Sequence, residues 1–598
     1  MRLNFAVRIL IAILVLIIAA ALCAPLWLTP WVATRVRAAA SARQLAASWS
    51  RLRVSWPATL RASDFVLRDA AGDTFLVART FEASAEPLSV MLLHPAIVTA
   101  RIDGARVQWG ARVSEDDTLA VLESELEDTR GGAGVAPRVL RVAEQLTRGL
   151  LLPARRLPQL QLTEVHIQRG ESTSVDLDAL NLTRRAGALE LAVTGRFALE
   201  QTIPFDSQLR WASDDRLTGR AELRIPEEGR DIPTPVVFTV DGRVTQDRRA
   251  GQLRIGKGTR VTLGEIAMRL EGLTDTHGPR LTLAVAMDSL TGPGVQRSLP
   301  RALLGPLADL SVRGSWDWHA SLDVDLSKPD SVRYQADVIP HGLTLDAAGS
   351  GLRLGGLQGP FLATIHLPHD RLVRRDLSAA NPHFRTLNDI SAPLRFAVVT
   401  NEDGGFFWHR GFNTGAIQLA VAANLRAGSY KRGAGTITMQ LARNLFLGHR
   451  RTLSRKGQEV VLAWVLEHLV GVPKERLLEI YLNIIEWGPN LHGADEAARF
   501  YFDKDAADLD LSEALFMTIV IPSPSKWRWR LDNNGALRPY ARAQMHFIGR
   551  KMQAKGWLGP TELVGADSLS ITLRGPARVL FEPRESPSDS ALSSRAQR

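Results

Sequence analysis

A single cysteine in 598 residues, Cys23, excludes any disulfide within the chain. It stands inside an apolar run and leaves the compartment open, since bacterial envelope proteins often lack disulfides too. Lysine is also scarce: there are nine, and seven of them fall between Lys431 and Lys555. Arginine supplies most of the cationic charge, and the formal net charge is +10. That balance suits an anionic partner, whether nucleic acid, anionic lipid or a phosphorylated substrate, or else reflects a codon-driven bias toward Arg and Ala. Residues 50–355 lack a histidine–carboxylate cluster, a cysteine pair and a glycine-rich phosphate loop. A long helical pattern is hard to find there except near 115–150. This half is therefore expected to be a scaffold or binding surface, not a catalytic centre.

What is present divides the chain. At this length two to four domains are expected, and a hydrophobic fraction of 45% allows ample cores. From Ile9 to Leu28 the run "ILIAILVLIIAAALCAPLWL" carries no charge, enough to span a bilayer core of about 30 Å. Arg2 and Arg8 precede it, and Trp27 and Trp31 stand where interfacial aromatics belong. A cleaved signal peptide is the alternative, with "ALCA" as its small-residue cut site, but the length of the run favours an uncleaved anchor. Arg35, Arg37 and Arg43 follow, so charge bias alone does not orient the helix.

Beyond the anchor, "ARIDGARVQWG", "ALELAVTGRFAL", "VVFTVDGRVTQ", "RLTLAVAMDSL" and "SWDWHASLDVDL" alternate apolar and polar residues at period two. Gly, Asp and Asn turns punctuate them, which predicts a large antiparallel β domain with one face buried. Past residue 385 the period becomes helical. "GAIQLAVAANL", "TITMQLARNLFL", "RKGQEVVLAWVLEHLV", "KERLLEIYLNII" and "LSEALFMTIVI" each place apolar residues at i, i+3, i+4 and i+7. Pro473 predicts a helix start and Gly488 a stop. After about 565, "SITLRGPARVLFEP" reads as strand-like, and a Ser-rich tail reads as disordered.

Four segments of the helical half carry unusual polar groups. Glu402 and Asp403 directly precede Phe406-Phe407-Trp408 in "NEDGGFFWHRGF". Gln440, Arg443 and Asn444 share a helix face at i, i+3 and i+4. In "RKGQE", Arg455 and Lys456 lie four and three residues before Glu459. Lys474, Tyr481 and Asn483 fall in "KERLLEIYLN". Any one of these taken alone reads more readily as a solvated helix face, where an i,i+4 pair contributes a few tenths of a kcal/mol. Together they describe carboxylates amid cations. Arg and Lys donors suit pyrophosphate, and a carboxylate base suits deprotonation of a sugar hydroxyl.

The segments "EDGGFFWHRG", "GAGTITMQLARN", "RKGQEVVLA", "KERLLEIYLN" and "GADEAARFYFDKDAADLDLSEALFMTIVIPSPSKWRW" resemble successive motifs of glycosyltransferase family 51, the peptidoglycan glycosyltransferases, over about residues 370–555. These occur as monofunctional enzymes and as the N-terminal part of class A penicillin-binding proteins. The resemblance implies a mostly helical, lysozyme-like fold. It implies lipid II and the growing lipid-linked glycan as substrates. By motif, Glu402 is expected as the general base that activates the acceptor 4-hydroxyl, with Asp403, Phe406 and His409 in support. Glu459 is expected as the second catalytic acid, acting directly or through a divalent cation (Mg2+ or Mn2+); no organic cofactor is implied. Thr436, Gln440, Arg443, Asn444, Arg455 and Lys456 are expected to bind pyrophosphate and sugar. Phe406 and Phe407 are expected to form an apolar wall that raises the basicity of Glu402. Among the departures from the family pattern "GGSTxTQQ", Gly435 replaces Ser, and Met439 replaces a Gln.

The stretch "LRASDFVLRDAAGDTFLVARTFEASAEPLSVMLLHPAIVTARIDGARV" is somewhat similar in style to AsmA-like envelope proteins and carries no catalytic motif. The expected architecture is multidomain: a cytoplasmic N-terminus and transmembrane helix (1–35), a large, mostly antiparallel extracytoplasmic β domain (36–360), a mostly α lysozyme-like glycosyltransferase domain (361–565) and a strand-like segment with a disordered tail (566–598). Single-pass anchoring in the bacterial inner membrane with the N-terminus inside follows from where lipid II is presented. Apolar residues near 405–425 (Phe406, Trp408, Phe412, Ile417 and Leu419) are expected to dip into the bilayer. Membrane lipid and a separate transpeptidase are the implied partners, and nucleic acid is not. A non-catalytic lipid II or glycan scaffold and a lysozyme-like lytic enzyme are the alternatives. A hydrolase, however, has no use for three cations around a pyrophosphate.

Overall fold

The computed structural model describes residues 29–581 apart from 39, 43, 56–57, 70–71, 87–96, 110–158, 170–172, 199–200, 228, 248, 276–277, 279, 368–370, 428–432 and 449–452. The expected anchor, the helical pattern near 115–150 and the Ser-rich tail lie outside the described residues. Among the described residues, no helix is long and apolar enough to cross a membrane.

Sixteen strands, from β1 (Ala46–Ser48) to β16 (Arg333–Leu345), form one sheet in which nearly every strand pairs with its neighbours in sequence. The five alternating segments fall in β5 (Ile97–Trp109), β8 (Ala188–Ala198), β11 (Thr234–Asp247), β14 (Arg280–Leu290) and β15 (Val312–Asp325). Pairing is antiparallel except between β5 and β6 (Gln159–Arg169), which run parallel. Tight turns set the registers. At Ala186-Gly187 both residues have positive φ (47° and 79°), the primed geometry that joins β7 (Thr173–Arg185) to β8 with Arg185 opposite Ala188.

Among the described residues, the sheet carries small buried clusters, such as Ile225, Val236, Leu263, Ile266 and Leu290, rather than one continuous core. Leu281 and Leu283, two apart on β14, remain 42% and 37% exposed. Alternation specifies which side is apolar, but a second layer must cover that side before it is buried.

The helical half has a continuous core. It contains α1 (Ala392–Glu402), α2 (Thr414–Ala427), α3 (Ile437–Ala442), α4 (Leu453–His468), α5 (Lys474–Ile484), α6 (Ala494–Phe502), α7 (Leu511–Val520) and α8 (Pro539–Ala554). Helix α7 is buried from Glu513 to Val520. Its N-terminus is closed by a capping box in which the Asp510 carboxylate accepts from Glu513 N (2.9 Å) and Glu513 accepts from Asp510 N (3.0 Å). Pro473 caps α5 as expected, but the helix ends at Ile484, and Gly488 lies beyond it in a short strand, Glu486–Gly488.

Both boundaries of the helical domain differ from those expected. Leu310, Leu354 and Leu357, all before residue 361, belong to the same core as Leu394, Tyr481 and Phe516. At the other end the segment read as a strand is irregular, with one short helical turn at Pro576–Val579. Leu569, Leu573 and Ala577 enter the core, and Arg574 N donates to Tyr501 O (3.0 Å). Without a partner strand, an alternating segment docks by its apolar side chains instead.

The β sheet joins the helices directly. Gln458 Nε2 on α4 donates to Leu303 O (2.7 Å), and Gln418 Nε2 on α2 donates to Tyr334 O on β16 (2.9 Å). Val324 and Val332 pack with Ala422 in a shared cluster.

Candidate active site

Glu402 is the last residue of α1, and Asp403 caps it in an irregular conformation. Two glycines then let the chain turn back. A Cβ at Gly405 would meet Asn413 Nδ2 at 2.4 Å, and one at Gly404 would meet Lys555 Nζ at 3.0 Å. Lys555, from the end of α8, donates to Gly404 O at 2.5 Å. Sequence reading missed this lysine, which lies some 150 residues away and outside any quoted motif.

The buried Asp403 carboxylate accepts from His409 Nε2 (2.9 and 3.0 Å) and from Ile437 N (3.1 Å). Asp403 therefore fixes the start of α3. Thr436 completes that start, accepting from Met439 N (3.2 Å) and donating to Gly411 O (2.7 Å). Thr436 is 1% exposed and its hydroxyl is used within the protein, so it positions α3 and does not bind substrate as expected.

The outcome of that positioning is Gln440. Its Nε2 donates to Glu402 Oε2 (2.9 Å), while its Oε1 accepts from Tyr481 O–H (3.1 Å). Burial pushes the Tyr481 phenol well above its ordinary pKa, so it stays a donor and sets which end of the amide faces Glu402. The other Glu402 oxygen accepts from Asn401 Nδ2 (2.8 Å). Burial raises the Glu402 pKa above the usual carboxylate range, against the opposing pull of the two amide donors and the Arg443 charge.

The other carboxylates are paired. Glu459, 2% exposed, accepts from Arg455 on one oxygen and from Lys456 Nζ (2.8 Å) on the other. Glu467 accepts from Lys474 Nζ (2.9 Å) and Thr438 Oγ1 (2.5 Å). Asp403 has His409. Among the described residues Glu402 alone of these four is held by neutral amides and no cation. Glu459, expected as a second catalytic acid or cation ligand, has one oxygen engaged by Arg455 and the other by Lys456 in this structure, and no group of three metal-ligating side chains gathers among the described residues. Glu459 holds Arg455 and Lys456 in place. Glu459→Ala is expected to lower stability by about 2–3 kcal/mol in a urea titration, less than for a fully buried pair because Lys456 is half exposed.

Phe406 is fully buried, with Lys474 Nζ 4.3 Å above its ring and Phe407 packed edge-on at 5.1 Å. Burial of Phe406 removes it from the expected bilayer-facing set, while Phe412 and Ile417 are half-buried and line an apolar cavity. Trp408 (73% exposed) and Leu419 (56%) remain on the surface. Asn483 brackets Arg385, giving Nδ2 to its carbonyl (2.8 Å) and taking its N–H (3.0 Å), and is structural.

Gln440, Arg443, Asn444 and Tyr481 line one cleft of about 720 Å³. Arg443–Leu447 winds as a π turn closed by Gly448 at φ 76°, yet it keeps Arg443 and Asn444 on that wall. Arg371 and Lys526 add cationic groups from distant segments. Lys526 lies in the quoted "PSPSKWRW", whose aromatic Trp529 carries it at 4.4 Å, but its spacing from the other motifs gave no hint that it joins them. Met439, next to Gln440, instead lines a separate apolar cavity with Trp316 and Trp318. A Gln at 439, as in the family pattern, would place an amide among apolar side chains.

Residues 370–553 match the family model described as Transglycosylase, a span that includes every site residue named above except Lys555. The chain is 38% identical over 167 residues to the biosynthetic peptidoglycan transglycosylase of Paraburkholderia xenovorans, covering 28% of this chain and 67% of the relative. With that of Pseudomonas putida the identity is 42% over 182 residues, covering 30% of this chain and 72% of the relative. The chain belongs to the peptidoglycan transglycosylase family. The Thiobacillus denitrificans relative is 44% identical over 147 residues, of which this chain spans 61% of the relative's length. The transglycosylase domain accounts for under a third of the chain, and the β sheet lies outside the matched stretch.

Proposed function

We propose that this chain polymerises lipid II into β-1,4-linked glycan strands, releasing undecaprenyl pyrophosphate, from a position anchored in the bacterial inner membrane. The observation that carries the reading is Glu402: a buried carboxylate with raised pKa and amide donors only, beside a cationic cleft. A base must be free to take a proton, and the neighbouring acids are already engaged, Glu459 and Glu467 by Arg or Lys and Asp403 by His409 and Ile437 N. Glu402 removes the proton from the acceptor 4-hydroxyl, and the oxygen attacks the donor C1 with inversion as the pyrophosphate leaves. Arg443, Arg455 and Lys456 hold the departing charge. Asp403, Thr436, His409 and Tyr481 are positioning residues that act through α3 and Gln440.

Full-length protein given purified lipid II is expected to yield glycan strands that lysozyme digests. Binding without polymer would instead favour a scaffold, and shortening of finished glycan a lytic enzyme. The pH dependence carries its own sign. Activity requires ionised Glu402, so kcat/KM should fall on acidification through a pKa above the ordinary glutamate value of about 4.3. Gln440→Leu removes a donor that favours the carboxylate, so its acid limb should move to higher pH. An unmoved limb would take the base assignment away from Glu402.

A further inference from the structure

The apolar cavity lined by Met439 has a volume of about 410 Å³ and lies between the end of the β sheet and the helical domain. Trp316 and Trp318 of β15 and Ala336 of β16 form one wall, and Met439 and Trp464 face them. Protein interiors rarely leave voids much larger than a water molecule, and an apolar void of this size suits neither water nor a polar ligand. Its size is in the range of small-molecule sites. Among the described residues, the one charged side chain lining it is Lys456, which is half exposed and bonded to Glu459 beside Arg455. Val461, also at the wall, is 44% exposed, so the cavity reaches the surface near this cation pair. At Gly435 a Cβ would lie 3.6 Å from Lys456 Nζ, and its absence leaves that approach clear.

The geometry points to a site for the isoprene units nearest the diphosphate of the lipid-linked donor, entered past Lys456, which meets the diphosphate at the mouth. This assignment rests on the transglycosylase reading above and adds to it: half of the tail's wall comes from the β sheet, outside the transglycosylase domain. An apolar chain ending in a diphosphate matches a pocket whose one charged lining side chain among the described residues is the rim cation Lys456. A neutral or zwitterionic acyl lipid would offer less negative charge to the Arg455–Lys456 pair, whose two positive charges Glu459 alone does not balance.

The test uses full-length protein in phosphatidylethanolamine–phosphatidylglycerol vesicles with undecaprenyl diphosphate carrying a photoreactive diazirine in the isoprene units nearest the diphosphate. Light is expected to label peptides within residues 312–345 or 453–469, and unlabelled undecaprenyl diphosphate should compete. Ala336→Trp, which fills the cavity from β16, should reduce labelling about tenfold, the scale of one changed apolar contact in a pocket. Val461→Asp at the exposed rim should do the same and guards against a folding defect in the first variant. Labelling confined to other segments would overturn the assignment, as would equal labelling by a diazirine phospholipid that undecaprenyl diphosphate fails to displace. Because labelling needs no turnover, the two readings separate. Labelled protein that makes no glycan upholds the pocket and overturns the polymerase, whereas glycan made by protein unlabelled at this wall does the reverse.

Discussion

Glu402→Gln is expected to abolish glycan synthesis from lipid II, by at least the 10²–10⁴-fold that removal of a general base costs. Glutamine keeps the shape and its carbonyl oxygen can still accept from Gln440, while its amide nitrogen meets Asn401 only if that side chain turns its oxygen inward; it cannot take a proton. The stability change should have the opposite sign from that of an ordinary site mutation. Burial raises the Glu402 pKa in the folded state. The folded protein therefore binds this proton more tightly than the unfolded chain, and the stability it contributes is lost as pH rises through the folded pKa. At neutral pH the buried charge is a cost that glutamine removes, so the variant should melt at or above the temperature of the parent. Inactivity with an unchanged or higher melting temperature marks a chemical role. Normal polymer yield would leave Glu402 without one.

A fragment of residues 361–581 is expected to lose most of its stability and its polymerising activity. On sequence alone the β half looked dispensable for chemistry, because it carries no acid–base constellation. Yet Leu310, Leu354 and Leu357, which are 8%, 1% and 2% exposed, fill the same core as the site helices. Losing one such side chain costs about 2–5 kcal/mol, and a whole domain has about 5–15 kcal/mol to lose. Helix α4, which carries Arg455, Lys456 and Glu459, also loses the Leu303 carbonyl that holds Gln458. Arg476 on α5 loses the Leu357 carbonyl (2.8 Å). Thermal melts by circular dichroism, with lipid II assays alongside, decide the matter. A fragment that melts like the full chain and polymerises at its rate would make the β sheet a passenger.

The two expectations rest on different kinds of information. Period-two alternation was enough to locate the strands, and the 3.6-residue period the helices, because both follow from local backbone geometry. The acids and cations could be picked out by spacing, since Arg455, Lys456 and Glu459 meet within one helical turn. Glu402 and Asp403 stood out through their setting beside a run of aromatics.

Which acid is free and which is tied was a tertiary matter. Adjacent in sequence, Glu402 and Asp403 part ways because α1 ends between them: Asp403 turns inward to His409 and Ile437 N, while Glu402 meets Gln440. The sequence by itself determined the element types, the two-part chain and the identity of the polar groups, because these depend on neighbours one to four residues away. Only the tertiary structure decided that Thr436 is a cap, that Glu459 is saturated by cations and that Lys555 and Lys526 reach the site. The same holds for Met439, which looks into an apolar cavity shared with the sheet. Each of these depends on a contact across many residues, and there burial and partner geometry set the chemistry of a side chain more strongly than its place in a motif.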